Sequence, residues 1–249
     1  MNSFGLPLYE KIKNLLPNSF KKKYLRPTNF WVWDLDGVIN ALPDPRWSFR
    51  LLRQQEFEPD LVIDVGAHNG DWTGLVLPIW PQTNYLLIEA LEEKRDLLKQ
   101  RYASRDNIHV ESALLGAASA SSVEFHVCET GSSMFRELDT PISEIRQLPV
   151  CTLDSVVSEV GLSPRAALLK LDVQGAELEV LKGAESTLMG TAYIAMEVSL
   201  IVMNDGAPDF KQVVAEMGKA GFVIEDIVGF HRQKFAGRMN QMDVLFRRE

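Results

Sequence analysis

From residue 60 onward the chain alternates short apolar runs with amphipathic stretches, and this alternation constrains the fold more than any other feature. A run such as Leu61-Val62-Ile63 is too short for a core helix and offers solvent no polar face. Strands of that kind are buried on both sides, as in a parallel sheet covered by its own crossover helices. Runs at 61–65, 85–89, 108–110, 167–171, 192–198, 222–228 and 244–246 give seven strands. A first helix starts near Gly70-Asp71 and stops by Pro78, which cannot continue a helix interior. In 91–102, Leu91, Leu98 and Tyr102 share one face and leave Glu92, Glu93, Lys94 and Lys99 to solvent. After residue 175, Ala176, Val180, Ala184 and Leu188 form a stripe at spacing four, which predicts one helix. A last helix covers 210–220, with Gly221 as its C-terminal stop. Residues 123–127 alternate like a half-buried antiparallel strand, and 129–149, rich in Gly, Ser, Thr and Pro, reads as a loop.

Residues 1–57 are of another kind. They carry Pro7, Pro17, Pro27, Pro43 and Pro45 together with Trp31, Trp33 and Trp47. They read as an extension packed on the domain at 58–249, with a short helix near Tyr9 before the basic run Lys21-Lys22-Lys23. That basic segment, interleaved with Leu15, Leu16, Phe20 and Tyr24, suits a weak peripheral contact with an anionic membrane. No apolar run reaches the ~18–20 residues of a membrane-spanning helix. With no signal-peptide pattern at the start, the expected location is the cytoplasm. The net charge of −8 argues against nucleic-acid binding, which draws on Lys and Arg to neutralise phosphates. Cys128 and Cys151 read as reduced thiols in apolar surroundings rather than as a disulfide.

The chemistry concentrates at strand ends. Asp64-Val65-Gly66-Ala67-His68-Asn69-Gly70 stands between a buried strand and a helix, where open parallel sheets bind ligands. Gly66 and Gly70 let the backbone turn sharply and approach a ligand. A dinucleotide fingerprint needs glycine where this chain has His68, so the loop suits a nucleoside cofactor without a pyrophosphate. Glu89 ends the second strand, where a carboxylate can accept hydrogen bonds from both ribose hydroxyls. Glu111-Ser112-Ala113 ends the third, on the side an adenine would occupy. Trp31-Val32-Trp33-Asp34-Leu35-Asp36-Gly37 imitates the nucleophile motif of haloacid-dehalogenase phosphatases, but the later segments of that family are missing, so it reads as coincidence.

The loop at 64–70 resembles the cofactor loop of class I methyltransferases. Thr152-Leu153-Asp154, followed by Leu169-Lys170-Leu171-Asp172-Val173-Gln174-Gly175-Ala176-Glu177 and Val180-Leu181-Lys182-Gly183-Ala184, resembles the FkbM family more specifically. One departure is Gln174, where many relatives have Glu. The resemblance covers about 58–249. It implies a doubly wound α/β fold: a mostly parallel, seven-stranded Rossmann-like sheet with an antiparallel edge strand. It implies S-adenosylmethionine as cofactor, touched by Asp64, Gly66, Ala67, His68, Asn69, Gly70, Thr73, Glu89, Ala90, Ser112, Ala113 and Asp172. It also implies methyl transfer to a hydroxyl of a sugar, lipid-linked or polyketide-like small molecule.

Such a reaction needs alignment of donor and acceptor and a base for the hydroxyl proton. Asp172, at a strand end, is the first candidate; Glu197, ending the next strand, is the second. Lys170 shares the strand face of Asp172 and can pair with an acid. His231 reads as a surface residue. Asp172, Glu177 and Glu197 could converge on Mg²⁺, but no compact ligand motif supports this and the metal is not expected. The alternative to an enzyme is a non-catalytic scaffold of the same fold.

Overall fold

The computed structural model describes residues 43–128, 131–136, 138, 144–232 and 239–249. The helix expected near Tyr9, the basic run Lys21-Lys22-Lys23 and the motif around Asp34 and Asp36 lie outside them.

The strands are β1 (Leu61–Val65), β2 (Asn84–Glu89), β3 (Ile108–Ser112), β4 (Leu114–Leu115), β5 (Ala120–Val127), β6 (Glu144–Cys151), β7 (Ala167–Leu171), β8 (Thr191–Ser199), β9 (Phe222–Arg232) and β10 (Met239–Arg248). The helices are α1 (Pro45–Gln54), α2 (Asp71–Val76), α3 (Glu92–Arg101), α4 (Leu153–Glu159), α5 (Glu177–Lys182), α6 (Glu185–Met189) and α7 (Phe210–Lys219). Seven strands form the main sheet in the order β3-β2-β1-β7-β8-β10-β9. β3, β2, β1, β7 and β8 run parallel, and β10 is antiparallel to both its neighbours. The resemblance implies an antiparallel strand at the edge; β10 instead stands one place in, with β9 outside it. β9 and β10 are consecutive and pair as a hairpin, and β10 takes the inner place beside β8.

β1 and β7 are buried along their whole length. Period-two alternation sends Leu61, Ile63, Val65, Leu169 and Leu171 into one core layer. It sends Val62 and Leu168 into the layer on the other face, with Trp80, Tyr85 and Phe49. Fully burying each such large apolar side chain contributes about 1.5–3 kcal/mol. Phe49 and Leu52 of α1, within the expected N-terminal extension, belong to this second layer, and Phe49 meets Trp72 edge to face at 5.6 Å.

Two expectations are corrected. The segment expected as a loop contains β6, which pairs antiparallel with β5 and parallel with β4 in a three-stranded sheet. Its alternation was hidden because most of β6 is exposed and polar on one face and carries Pro149. The stripe Ala176, Val180, Ala184, Leu188 belongs to two short helices, not one. The break falls at Gly183, where a Cβ would stand 2.2 Å from the Gly116 carbonyl oxygen, so the chain bends around that carbonyl. Helix α4 is an addition. Thr152 caps it by accepting a hydrogen bond from Ser155 N, and Asp154 accepts from Ser186 N and Thr187 N at the start of α6. Cys128 and Cys151 are free thiols. No helix among the described residues is long and apolar enough to cross a membrane.

Candidate active site

The chemistry follows from a switch in polarity along one face of the sheet. On the face that carries Val62, Leu168, Ala195 and Leu245, the next inward-facing position toward the ligand edge is Asp64, Lys170, Glu197 and Asp243. Register places Asp64 opposite Lys170 and Glu197 opposite Asp243. Four adjacent strands therefore end in a row of charged groups.

Asp64 is fully buried; its Oδ2 accepts from the Thr73 hydroxyl at 2.6 Å, and its Oδ1 lies 3.7 Å from Lys170 Nζ. Lys170 Nζ donates to Asp172 Oδ2 at 3.0 Å. The Gln174 amide donates to Asp172 Oδ1 and to Glu197 Oε1, both at 2.8 Å. The Gln241 amide donates to the same Glu197 oxygen at 2.7 Å. His231 Nε2 lies 3.7 Å from Glu197 Oε2 and 3.9 Å from Asp243 Oδ2.

These contacts set the carboxyl groups apart. Burial alone raises Asp172, but the Lys170 charge and the hydrogen bonds from Lys170 and Gln174 outweigh it and hold the carboxyl below its usual range. Glu197 goes the other way: burial, then the charges of Asp172, Asp243 and Glu177, push it well above the usual range. Burial also raises Asp243, with His231 opposing. Burial raises the fully buried Asp64 too.

Two cavities open beside this row. One, of about 490 Å³, is lined by Gly66, His68, Glu89, Ala90 and Ala113 and walled by Leu91, Leu114, Leu115, Phe125 and Met134. The other, of about 540 Å³, is lined by Lys170, Glu197, Gln241 and Asp243 together with Trp72, Met203 and Val228. Asp172, Gln174 and His231 line both.

The first cavity fits a nucleoside. Glu89 Oε2 accepts from His68 N at 2.8 Å and Oε1 from Leu91 N at 3.1 Å, which fixes the carboxylate and leaves each oxygen a lone pair for a hydroxyl. The apolar wall suits a flat base. Gly66, at φ 76°, carries the turn; a Cβ there would lie 1.9 Å from the Asp172 carbonyl oxygen. His68 also takes positive φ, at 47°.

Of the cofactor residues named from sequence, Gly66, His68, Glu89, Ala90, Ala113 and Asp172 line this cavity. Asp64 and Thr73 do not: both side chains are fully buried and bonded to each other beneath the loop. Ala67 and Gly70 are buried within the turn. Asn69 points outward and accepts from Lys94, and the Ser112 hydroxyl donates to the Ala90 carbonyl at 3.4 Å. The apolar wall was missed, because Leu114, Phe125 and Met134 come from the small sheet and its flank.

The three catalytic candidates Asp172, Glu197 and Lys170 are brought together. Glu177 is not among them; its Oε1 accepts from Val173 N and Gly175 N and shapes their turn, so in the set Asp172, Glu177, Glu197, considered for Mg²⁺ but not expected to bind it, Glu177 is committed to the backbone. His231, read as a surface residue, is indeed exposed on β9, and there it lines both cavities. Gln241 and Asp243 were also missed, although the switch from Leu245 to Asp243 on one strand face was the available signal.

The chain matches the model of the "Methyltransferase FkbM domain" over residues 64–224. No curated protein sequence matches it. Among solved structures it is similar to EvdMO1, at 14% identity and a TM-score of 0.46, with 97% of this chain covered but only 47% of that one. It is also similar to the N-terminal domain of EvdMO1 solved with SAH and D-fucose, at 13% identity, TM-score 0.44 and 84% coverage of each chain. A SAM-dependent methyltransferase from Aquifex aeolicus aligns at 13% identity and a TM-score of 0.39, over 95% of this chain and 97% of its own. The chain thus spans about half the length of intact EvdMO1.

Proposed function

This chain belongs to the FkbM methyltransferase family, and from that premise we propose that it transfers a methyl group from S-adenosylmethionine to a hydroxyl oxygen of a small polar acceptor, such as a sugar, lipid-linked or polyketide-like molecule. One observation carries the reading: a nucleoside-shaped cavity and a polar cavity meet at Asp172. Donor and acceptor in adjoining cavities are held at a common edge, and such alignment is the larger part of catalysis for an already activated donor.

Glu89 would hold the ribose hydroxyls, the wall of Leu91, Leu114 and Phe125 the base, and the Gly66 backbone the turn that admits them. The bound cofactor supplies a methyl carbon activated on a sulfonium, which leaves as a neutral thioether. Asp172 accepts the acceptor's proton as the new oxygen–carbon bond forms. Lys170 keeps Asp172 ionised and aimed, and Glu197 and Gln241 offer the acceptor polar contacts deeper in its cavity.

Calorimetry with S-adenosylhomocysteine tests the cofactor half. One molecule should bind per chain, and Glu89→Ala should weaken it by about 2–3 kcal/mol through two lost charge-assisted hydrogen bonds. Unchanged affinity in that variant would move the ribose site elsewhere and remove the basis of the proposal.

A further inference from the structure

Glu197, His231 and Asp243 bring three lone-pair atoms to face one another. One ligand atom from each lies within 4.8 Å of the others. The separations from His231 Nε2, 3.7 and 3.9 Å, are too long for hydrogen bonds. The Glu197 side chain is only 10% exposed. Its Oε1 is saturated by the amides of Gln174 and Gln241, while Oε2 accepts no hydrogen bond from any described residue. The two amides thus orient the carboxylate from behind, as partners of metal ligands do.

The backbone is shaped for this arrangement. β8, β10 and β9 are adjacent, and Asp243 stands opposite both Glu197 and Gly229. A Cβ at position 229 would lie 2.1 Å from Asp243 Oδ2, so only glycine lets that carboxylate lie across β9 toward His231. Among the described residues, Lys170 pairs with Asp64 and Asp172, while the charged partner within 4 Å of both Glu197 and Asp243 is His231.

We propose that Glu197, His231 and Asp243 bind a divalent transition-metal cation in the acceptor cavity. Ligands about 2.1 Å from a common ion stand about 3–4 Å apart, close to the separations here. An imidazole nitrogen beside two carboxylates suits Mn²⁺, Zn²⁺ or Fe²⁺ better than Mg²⁺ or Ca²⁺, which take oxygen. The ion's existence rests on these three side chains, and its role rests on the methyl-transfer reading. It would take the acceptor hydroxyl as a further ligand and acidify it, so that a base as weak as Asp172 can receive the proton. Glu197, on this view, is a metal ligand and not the base.

The test is titration of the full chain with Mn²⁺ alone, following the loss of the free-ion paramagnetic signal, with S-adenosylhomocysteine calorimetry on the same samples. One Mn²⁺ should bind per chain, and His231→Gln and Asp243→Asn should each weaken it at least about tenfold. His231 is exposed enough that its variant should keep the wild-type melting temperature, which guards against a folding artefact at Asp243. No bound Mn²⁺, or undiminished binding in both variants, overturns the site. If S-adenosylhomocysteine binds and Mn²⁺ does not, the cation alone is lost. If Mn²⁺ binds and S-adenosylhomocysteine does not, the methyl-transfer reading is lost and the site stands. Turnover that survives a chelator removes the catalytic role.

Discussion

The Gln174 amide donates to Asp172 and to Glu197 at once, a double donation that a glutamate, with at most one O–H, cannot make. The departure from Glu at this position therefore keeps two like charges close without a third. Asp172 is the residue to test. Asp172→Asn keeps size and shape but removes basicity, so turnover should fall ~10²–10⁴-fold while S-adenosylhomocysteine affinity holds. Near-normal turnover would leave positioning alone as the catalytic device, and a scaffold would register no difference. Glu177 makes a pH prediction. Burial lifts its carboxyl to about 7, above the ~4.3 of an unfolded chain. The folded state therefore holds the proton more tightly, and this contribution to stability is full below about pH 4.3 and lost as pH rises through about 7. Glu177→Gln keeps an oxygen for the N–H groups of Val173 and Gly175 and cannot ionise. It should melt higher than wild type at pH 8, by about 1–3 kcal/mol, and show no advantage near pH 4. An advantage that is equal at both pH values would mean that packing, not ionisation, is responsible.

Among the elements, the β1–α2 turn and the β7–α5 turn are built as one piece. Gly66 packs on the Asp172 carbonyl, and Asp172 N donates to the Val65 carbonyl at 3.2 Å. The cofactor loop and the proposed base are therefore positioned by the same contact. Gly66→Ala forces a Cβ into that carbonyl at positive φ, and should cost at least about 2 kcal/mol in urea unfolding. Turnover should fall together with S-adenosylhomocysteine affinity, unlike the separation expected for Asp172→Asn. A variant that kept both affinity and stability would show that the two turns move independently. The short helices α5 and α6 are likewise held from outside, by Asp154 at the start of α6 and by the fit of Gly183 over Gly116.

For the molecule as a whole, a ligand that binds only the folded state adds stability by mass action. At S-adenosylhomocysteine one hundred times its Kd the gain is about 2.7 kcal/mol, or about 5–10 °C in Tm for a domain of this size. Wild type and Asp172→Asn should show the same shift in thermal scanning, and Glu89→Ala a smaller one at equal ligand concentration. A full shift in Glu89→Ala would contradict the ribose contact. The main sheet supplies the charged edge of the site and the small sheet supplies the apolar wall, so the first cavity exists only where the two meet.

The alternation of apolar runs was enough to determine the main sheet, because strands buried on both faces leave an unbroken apolar signature. The loop at 64–70 and Glu89 were legible for a similar reason: a turn that needs glycine and a strand that ends on an acid are local facts. Lys170, Asp172 and Glu197 could be named because each ends a buried strand. Which of them share hydrogen bonds could not, since the Gln174 bridge spans two strands. β6 and α4 escaped notice because their faces are mixed and their partners distant in sequence. His231, Gln241 and Asp243 come from the hairpin whose inner strand inserts beside β8, and only strand order brings them to Glu197. Period and composition report what each segment buries; the meeting of segments far apart in the chain is decided by how the sheet is ordered.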